Sequence, residues 1–329
     1  PSNTQCKEYR KIAGKSVDSS SGVNVGGTAD ALTALTSLRK LCSHPYLLDK
    51  KSKSFELSRN DISLSGKLLC LQGLLKSIRS CNPDDKVVIV SNFTSALSVI
   101  ENMLQSHQWS STRLDGTTQL SDRQALVDSF NRTTADQSFA FLLSSKAGGC
   151  GLNLVGANRL VMFDPDWNPA TDMQAMARVY RQGQTKSCFI YRFFTTGTVE
   201  EVIYQRQFQK GNLATLTVDG KSKSRSAGFT KEELRDCFDL KEACDCDTKR
   251  KVGSRWPEYS GFDSLHDQGC YDEPLLNTAE EQSSTLSFIH IVQENEDPKN
   301  KVKSVEEESE DDFVYSDDSS SSEVEFEFE

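Results

Sequence analysis

At 329 residues the chain is long enough for one or two domains with a buried core. No run of about 18 uninterrupted apolar residues occurs, which excludes a membrane-spanning helix. The net charge of −10 is set by one end: residues 304–329 hold twelve acids and no Lys or Arg, so residues 1–303, with 36 acids against 38 bases, carry +2.

The body is therefore close to neutral, and the charge says little about what it binds. Ten cysteines are present, several inside apolar runs such as "KLLCLQGLL" and "KSCFIY". That usage fits buried thiols in a reducing compartment better than a disulfide framework. The first residue is Pro and no signal or transit pattern precedes the fold, so the chain reads as a piece of something longer.

In chain order, residues 1–27 read as a flexible polar segment, with "SVDSSSGVNVGG" as a loop. "TADALTALTSLRKLCSHPYLL" (28–48) has helical apolar spacing and stops before Pro45. "SGKLLCLQGLLKSI" (65–78) predicts another helix, capped by Ser65. "KVVIVS" (86–91) is a continuous β-branched run of the kind buried in a parallel sheet. The helix "TSALSVIENMLQSH" and the strand "STRLDG" follow, then the helix "SDRQALVDSFN" with Ser121 as its cap. Further strands are expected at 138–144, 158–164 and 188–194. Between them lie a Gly-rich loop and a helix spanning "QAMARVYRQGQ" (174–184); "TVEEVIYQRQFQK" (198–210) closes the series as a helix. This alternation predicts an α/β fold with a parallel sheet flanked by helices. Residues 216–292 are less regular and read as a small appendage with a late strand at 287–292; residues 293–329 read as a disordered acidic tail.

Several stretches carry chemistry. In a helix, Gln174, Arg178 and Arg181 would share one stripe, and two guanidinium forks suit a bound phosphate. The loop "SSKAGGCGLNL" (144–154) follows a strand directly, where glycines let backbone N–H groups approach phosphates. A dinucleotide fingerprint fails there, because Leu154 stands where the third glycine belongs. A P-loop fails as well: Gly14-Lys15-Ser16 has Tyr9 in place of the upstream glycine, and "SGKL" (65–68) has no upstream glycine and lacks the hydroxyl after its lysine. The chain thus has arginines for a transferring phosphoryl group but no cradle for the triphosphate, as expected of an arginine finger acting on a nucleotide bound elsewhere. Ser91, Asn92 and Thr94 follow one strand; Arg113, Thr117 and Thr118 surround a glycine turn after another; Trp167 sits in "FDPDWNPAT". Such groups either position phosphates or are ordinary loop residues.

Taken in order, "LRKLCSHPYLL", "SGKLLCLQGLL", "VVIVSNFTSAL", "RLDGTT", "SSKAGGCGLNL", "RLVMFDPDWNPA", "QAMARVYRQGQ" and "TVEEVIYQRQ" resemble the second motor lobe of Swi/Snf-type, superfamily-two DNA translocases, and within them the recombination branch, the Rad-fifty-four-like proteins. The resemblance covers residues 28–215 and, more loosely, 228–292. It implies a RecA-like helicase C-terminal lobe at 65–215, preceded at 28–64 by the end of a helical protrusion and followed by the appendage. It further implies that ATP with Mg²⁺, held mainly by a first lobe with a P-loop and DE-x-H box, meets Arg178 and Arg181, with Gln174 as companion and Gly149 and Gly151 lining the cleft. Asn92, Thr94, Arg113, Gly116, Thr117, Ser145 and Lys146 would touch DNA phosphates, and Trp167 would lie toward the minor groove. Double-stranded DNA, a RecA-type recombinase filament and nucleosomes are the implied partners, homologous recombination the role, the nucleus the location.

One departure is "SSK" (144–146), where many relatives have Ser-Thr-Arg; Lys keeps the charge but loses the fork. Relatives also carry a Cys/His-bearing appendage, and Cys244, Cys246, His266 and Cys270 are the zinc candidates here, although their spacing is irregular and contains no C-x₂-C pair. The tail reads either as a solvating, phosphorylatable segment around Ser316 and Ser322 or as a dock for a basic partner through "VEFEFE". A non-catalytic DNA- or protein-binding module from a truncated or degenerate motor is the rival to the motor reading.

Overall fold

The computed structural model describes residues 1–16, 28–48, 61–147, 151–216, 231–242, 246–252, 272–287 and 289. Five strands form one fully parallel sheet: β1 (Val87–Ser91), β2 (Ser111–Leu114), β3 (Ala140–Ser144), β4 (Arg159–Met162) and β5 (Phe189–Arg192), in the order β2-β3-β1-β4-β5. The central strand has every residue buried, as a strand covered on both faces must. Its side chains alternate. Val87 and Ile89 face a core with Leu68, Leu71, Leu75 and Ile78 of α3 (Gly66–Cys81) and Leu97, Ile100 and Leu104 of α4 (Thr94–Ser106). Val88 and Val90 face the opposite core, with Val127 and Phe130 of α5 (Leu120–Arg132), Leu154, and Ala175 of α6 (Pro169–Met176). The expected α/β layer is present.

A third core joins four helices outside the sheet. Tyr9 of α1 (Asn3–Ser16), Leu35, Leu38 and Leu41 of α2 (Thr28–Ser43), Val199 and Ile203 of α7 (Val199–Leu216), and Cys237 and Phe238 of α8 (Lys231–Phe238) pack together. The Tyr9 hydroxyl donates to the Cys237 carbonyl (2.6 Å) and accepts from the Val199 amide (3.0 Å), so one phenol ties three helices. This corrects the reading of residues 1–27 as flexible throughout: residues 3–16 are helical because Tyr9 has a core to enter. Two short helices complete the described appendage, α9 (Asp247–Val252) and α10 (Glu273–Glu281). Glu201 holds the start of α9, accepting from the amides of Asp247 (3.3 Å) and Thr248 (3.1 Å). Asp272, at the start of α10, pairs with the buried Arg159 (2.7 Å).

Two local expectations change. Ser65 caps α3 as predicted, accepting from the Leu68 amide (3.3 Å). Ser121 does not cap α5: the cap position falls two residues earlier, at Gln119, and the Ser121 hydroxyl is spent on Asp122 (2.9 Å). The acidic tail, Gly149, Cys244, His266, Cys270 and most of the expected strand at 287–292 lie outside the described residues. Ile289 is described and packs on Leu276 and Ala279 of α10.

Candidate nucleotide and DNA-facing loops

Because all five strands run the same way, their carboxyl ends meet at one edge, the edge at which open α/β sheets gather ligands. Asn92, Thr94, Gly116, Thr117, Ser145, Lys146, Gly151 and Trp167 lie on loops or helix starts that follow those strand ends, whereas Arg113 is within β2, Gln174 within α6, Arg178 and Arg181 just after it, and Cys246 before α9.

Asp164, just past β4 and 1% exposed, organises the centre. Its carboxylate accepts from the Ser91 hydroxyl, the Asn92 amide (3.0 Å) and Asn92 Nδ2 (2.8 Å). Asn92 Oδ1 in turn accepts from the Ser145 hydroxyl (2.6 Å), and the Ser145 amide donates to the Ser91 carbonyl (3.1 Å). One buried acid thus locks together the ends of β1, β3 and β4. It leaves Asn92 and Ser145 part-exposed and Lys146 exposed beside them.

The "DGTT" turn after β2 is built the same way. Asp115 is buried, and its Oδ1 accepts from the Thr117 amide (2.9 Å) and hydroxyl (2.6 Å). The Thr117 hydroxyl, helped by Arg113, holds the Asp115 carboxyl below its usual range despite burial. Gly116 and Thr117 are presented to solvent. Arg113, expected at a phosphate, is instead occupied: Nε donates to Asp115 (2.8 Å), Nη1 to Ser98 and Glu101 (2.9 Å each), and Nη2 to the Thr94 carbonyl (3.2 Å). The geometry makes Arg113 a clamp between β2 and the start of α4, where Thr94 is exposed.

Trp167 is half-buried against the third core. The Arg39 guanidinium lies 5.8 Å from its ring and 5.1 Å from that of Phe93, and Nη2 donates to the Pro165 carbonyl (2.7 Å). Arg39 therefore fastens α2 to the strand-end loops. Asn168 caps α6 through the Ala170 amide (3.2 Å), with Pro169 at its first position. Asp172 anchors that helix start: it is 1% exposed and accepts from the Asp166 amide (3.1 Å), Gln207 (2.8 Å) and Arg192 (3.2 Å), while burial pushes its carboxyl up.

The expected helix over 174–184 is corrected. α6 ends at Met176, so Gln174 is helical and exposed, whereas Arg178 and Arg181 lie in the irregular turns that follow. The reason is a competing partner. The Arg178 carbonyl accepts the Leu154 amide (3.0 Å) from the glycine loop, and Val179 is buried in the core. Arg181 Nη1 donates to the Gly151 carbonyl (2.9 Å); Gly151 has φ +63°, where a Cβ is disfavoured. The structure therefore joins the arginine segment to the glycine loop without a shared helical stripe.

Among the described residues no group of three or more His, Cys, Asp and Glu could hold a metal. Cys246 lies between Glu201 (3.5 Å) and the Lys249 amide (3.3 Å), and burial pushes its thiol up to about 12. Sequence reasoning passed over Asp164, Asp115, Arg39, Asp172 and Gln184. Asp164 carried a signal, an acid closing the apolar run "LVMF".

Residues 66–183 match the helicase conserved C-terminal domain. The chain is 47% identical over 237 residues to a "DNA repair and recombination protein RAD54-like" of Drosophila grimshawi, covering 68% of this chain and 30% of that protein. It is 45% identical over 240 residues to "DNA repair protein rhp54" of Schizosaccharomyces pombe, covering 68% and 28%. The Sulfolobus solfataricus SWI2/SNF2 ATPase core, solved in complex with dsDNA, aligns with a TM-score of 0.56 at 25% identity over 73% of this chain and 48% of that one. The chain spans about a third of the length of the curated relatives it matches. Sheet, loops and relatives agree: the chain belongs to the Swi2/Snf2 family, as a helicase C-terminal lobe of its RAD54-like branch.

Proposed function

We propose that this chain is the second lobe of an ATP-dependent double-stranded-DNA translocase acting in homologous recombination and double-strand-break repair, and that residues 65–215 are the lobe, 28–64 the end of a protrusion, 216–292 an appendage and 293–329 an acidic tail. The observation that carries the reading is the fastening of the arginine segment to the glycine loop, through Leu154 N–H to Arg178 O and Arg181 Nη1 to Gly151 O, at the carboxyl edge of the sheet. Arg178 and Arg181 then act as fingers toward the γ-phosphate of ATP, with Gln174 beside them. ATP with Mg²⁺ supplies the phosphoryl group and its activation from a P-loop lobe. This chain's residues supply positive charge to the phosphoryl oxygens, worth about 10³–10⁵ in rate where a finger completes a site.

Asn92, Thr94, Gly116, Thr117, Ser145 and Lys146 offer hydroxyls, amides and one cation to the DNA backbone. Such contacts are blind to sequence. Arg113 supports them from behind, and Trp167 holds the neighbouring loop. The relatives named for DNA repair and recombination, and the Snf2 core solved with dsDNA, support duplex DNA as the substrate and the nucleus as the place of action. A recombinase filament and nucleosomes are the protein partners this role implies.

The test is ATP hydrolysis with and without duplex DNA, for the chain alone and for the chain joined to a P-loop lobe of a RAD54-like relative. Silence from the chain alone, with DNA-stimulated turnover in the joined form lost on Arg178→Ala, Arg181→Ala, is the expected result. A joined form that binds DNA yet hydrolyses nothing would favour a non-catalytic binding module.

A further inference from the structure

Gln184 ends the stretch that carries the two arginines, and its side chain is held at both ends. Nε2 donates to the carbonyls of Ala157 (2.7 Å), Val155 and Val179 (3.3 Å each), while Oε1 accepts the amides of Thr185 and Lys186 (3.0 Å each). Carbonyls only accept and amides only donate, so the amide group has one workable orientation. The turn that aims it is closed by the Gln184 amide on the Arg181 carbonyl (3.0 Å). Gly183, at φ +98°, is the residue that makes that turn accessible. Val155 and Ala157 belong to the continuation of the glycine loop, whereas Val179 lies between the two arginines.

We propose that Gln184 is a positioning residue for Arg178 and Arg181, a staple whose two bonds to Val155 and Ala157 fix the arginine segment on the 151–157 loop while its other three, to Val179, Thr185 and Lys186, close the segment's own turn. The proposal rests on the finger reading above. Beyond Met176 the segment keeps turn bonds only as far as the Tyr180 amide on the Met176 carbonyl (3.4 Å), and no helical ladder carries its register on to Arg181. Its fixed points are the Arg178 carbonyl on Leu154, the Val179 side chain in the core, and Gln184. Arg181 is exposed, and among the described residues its guanidinium donates to the Gly151 carbonyl of the loop. Gln184 therefore fixes the backbone from which Arg181 projects. Misplacing a catalytic group by about 1 Å can lower a rate about a hundredfold with binding intact.

The experiment uses Gln184→Met, which keeps length and loses all five bonds, and Gln184→Glu, which keeps the two acceptor bonds and sets a charge against three carbonyls. Both go into the chain joined to a P-loop lobe, beside Arg178→Ala, Arg181→Ala. Amide hydrogen exchange is followed in the same proteins. Both Gln184 variants should lower kcat with duplex DNA about ten- to a hundredfold, with KM for ATP and DNA affinity changed less than about twofold. In the Met variant the Thr185 and Lys186 amides should exchange faster, with Val88 and Leu142 in the sheet still protected. Unchanged kcat in both variants, with the arginine double mutant inactive, overturns the staple and leaves the finger reading standing. Lost kcat with no faster exchange at Thr185 and Lys186 also overturns it. If the arginine double mutant turns over normally, the finger reading falls and the staple with it. Should the Met variant unfold, seen as lost protection at Val88, the Glu variant decides by the same kcat-against-KM criterion.

Discussion

Replacing Lys67 with Met strands a buried carboxylate. Lys67 in α3 is 5% exposed and Glu200 in α7 not exposed at all, with Nζ 2.6 Å from Oε1. The same ammonium donates to the Phe163 carbonyl (2.8 Å), next to Asp164, and the other Glu200 oxygen accepts the Thr195 amide (2.8 Å). The pair therefore joins α3, the end of β4 and the start of α7. Breaking a buried pair from one side costs about 3–5 kcal/mol, since the remaining charge has no water to turn to; at this burial solvent does not screen it. With a urea slope of about 2 kcal/mol per molar, the unfolding midpoint should fall by about 1.5–2.5 M. Lys67→Met with Glu200→Gln should recover about 1–3 kcal/mol relative to the sum of the singles, because neither charge is then left alone. Equilibrium urea unfolding of the four proteins, followed by circular dichroism, measures the cycle. A midpoint shift under about 0.5 M for Lys67→Met, or strictly additive losses, would refute the argument from burial.

Other outcomes follow from the loops. DNA affinity of the joined form should fall steeply between about 50 and 200 mM salt, and Lys146→Ala should reduce the log–log salt slope by about one; an unchanged slope removes Lys146 from the backbone contacts. Asp115, held below its usual range by Thr117 and Arg113, contributes stability that is full above the ordinary carboxylate pKa of 3.8 and is lost as pH falls through its lower folded value. Acid unfolding monitored alongside Asp115→Asn should show the variant less sensitive to pH in that window, and parallel curves would contradict the assignment. Arg113→Ala should loosen the start of α4 and the "DGTT" turn together, read as faster exchange at Thr117 and Ala96, because the guanidinium bridges both. Exchange confined to one side would mean the clamp does not couple them.

Much of this protein follows from local pattern. β-branched runs, a hydroxyl before α3 and apolar spacing along the helices suffice for a parallel α/β layer, because strand burial and helix capping are read within a few residues. Motif order was equally legible, and so was the family. What the chain order could not express was competition from distant partners. The "QAMARVYRQGQ" stretch has helical propensity up to Gly183, yet its Arg178 carbonyl is claimed by Leu154 and its Gln184 side chain by the carbonyls of residues 155 and 157. Arg113 has the charge of a phosphate ligand, but four partners converge on it only when β2 and α4 pack. Residues 3–16 are polar on average, and their helix enters a core through the Tyr9 phenol, with partners at residues 199 and 237, and through Gln5, buried on the carbonyls of Leu41 and Cys42. Propensity and pattern are local sums, whereas a buried polar group must find whichever donor or acceptor the fold brings within reach. That requirement, met only in three dimensions, decided where the arginines project and which loop residues remain exposed.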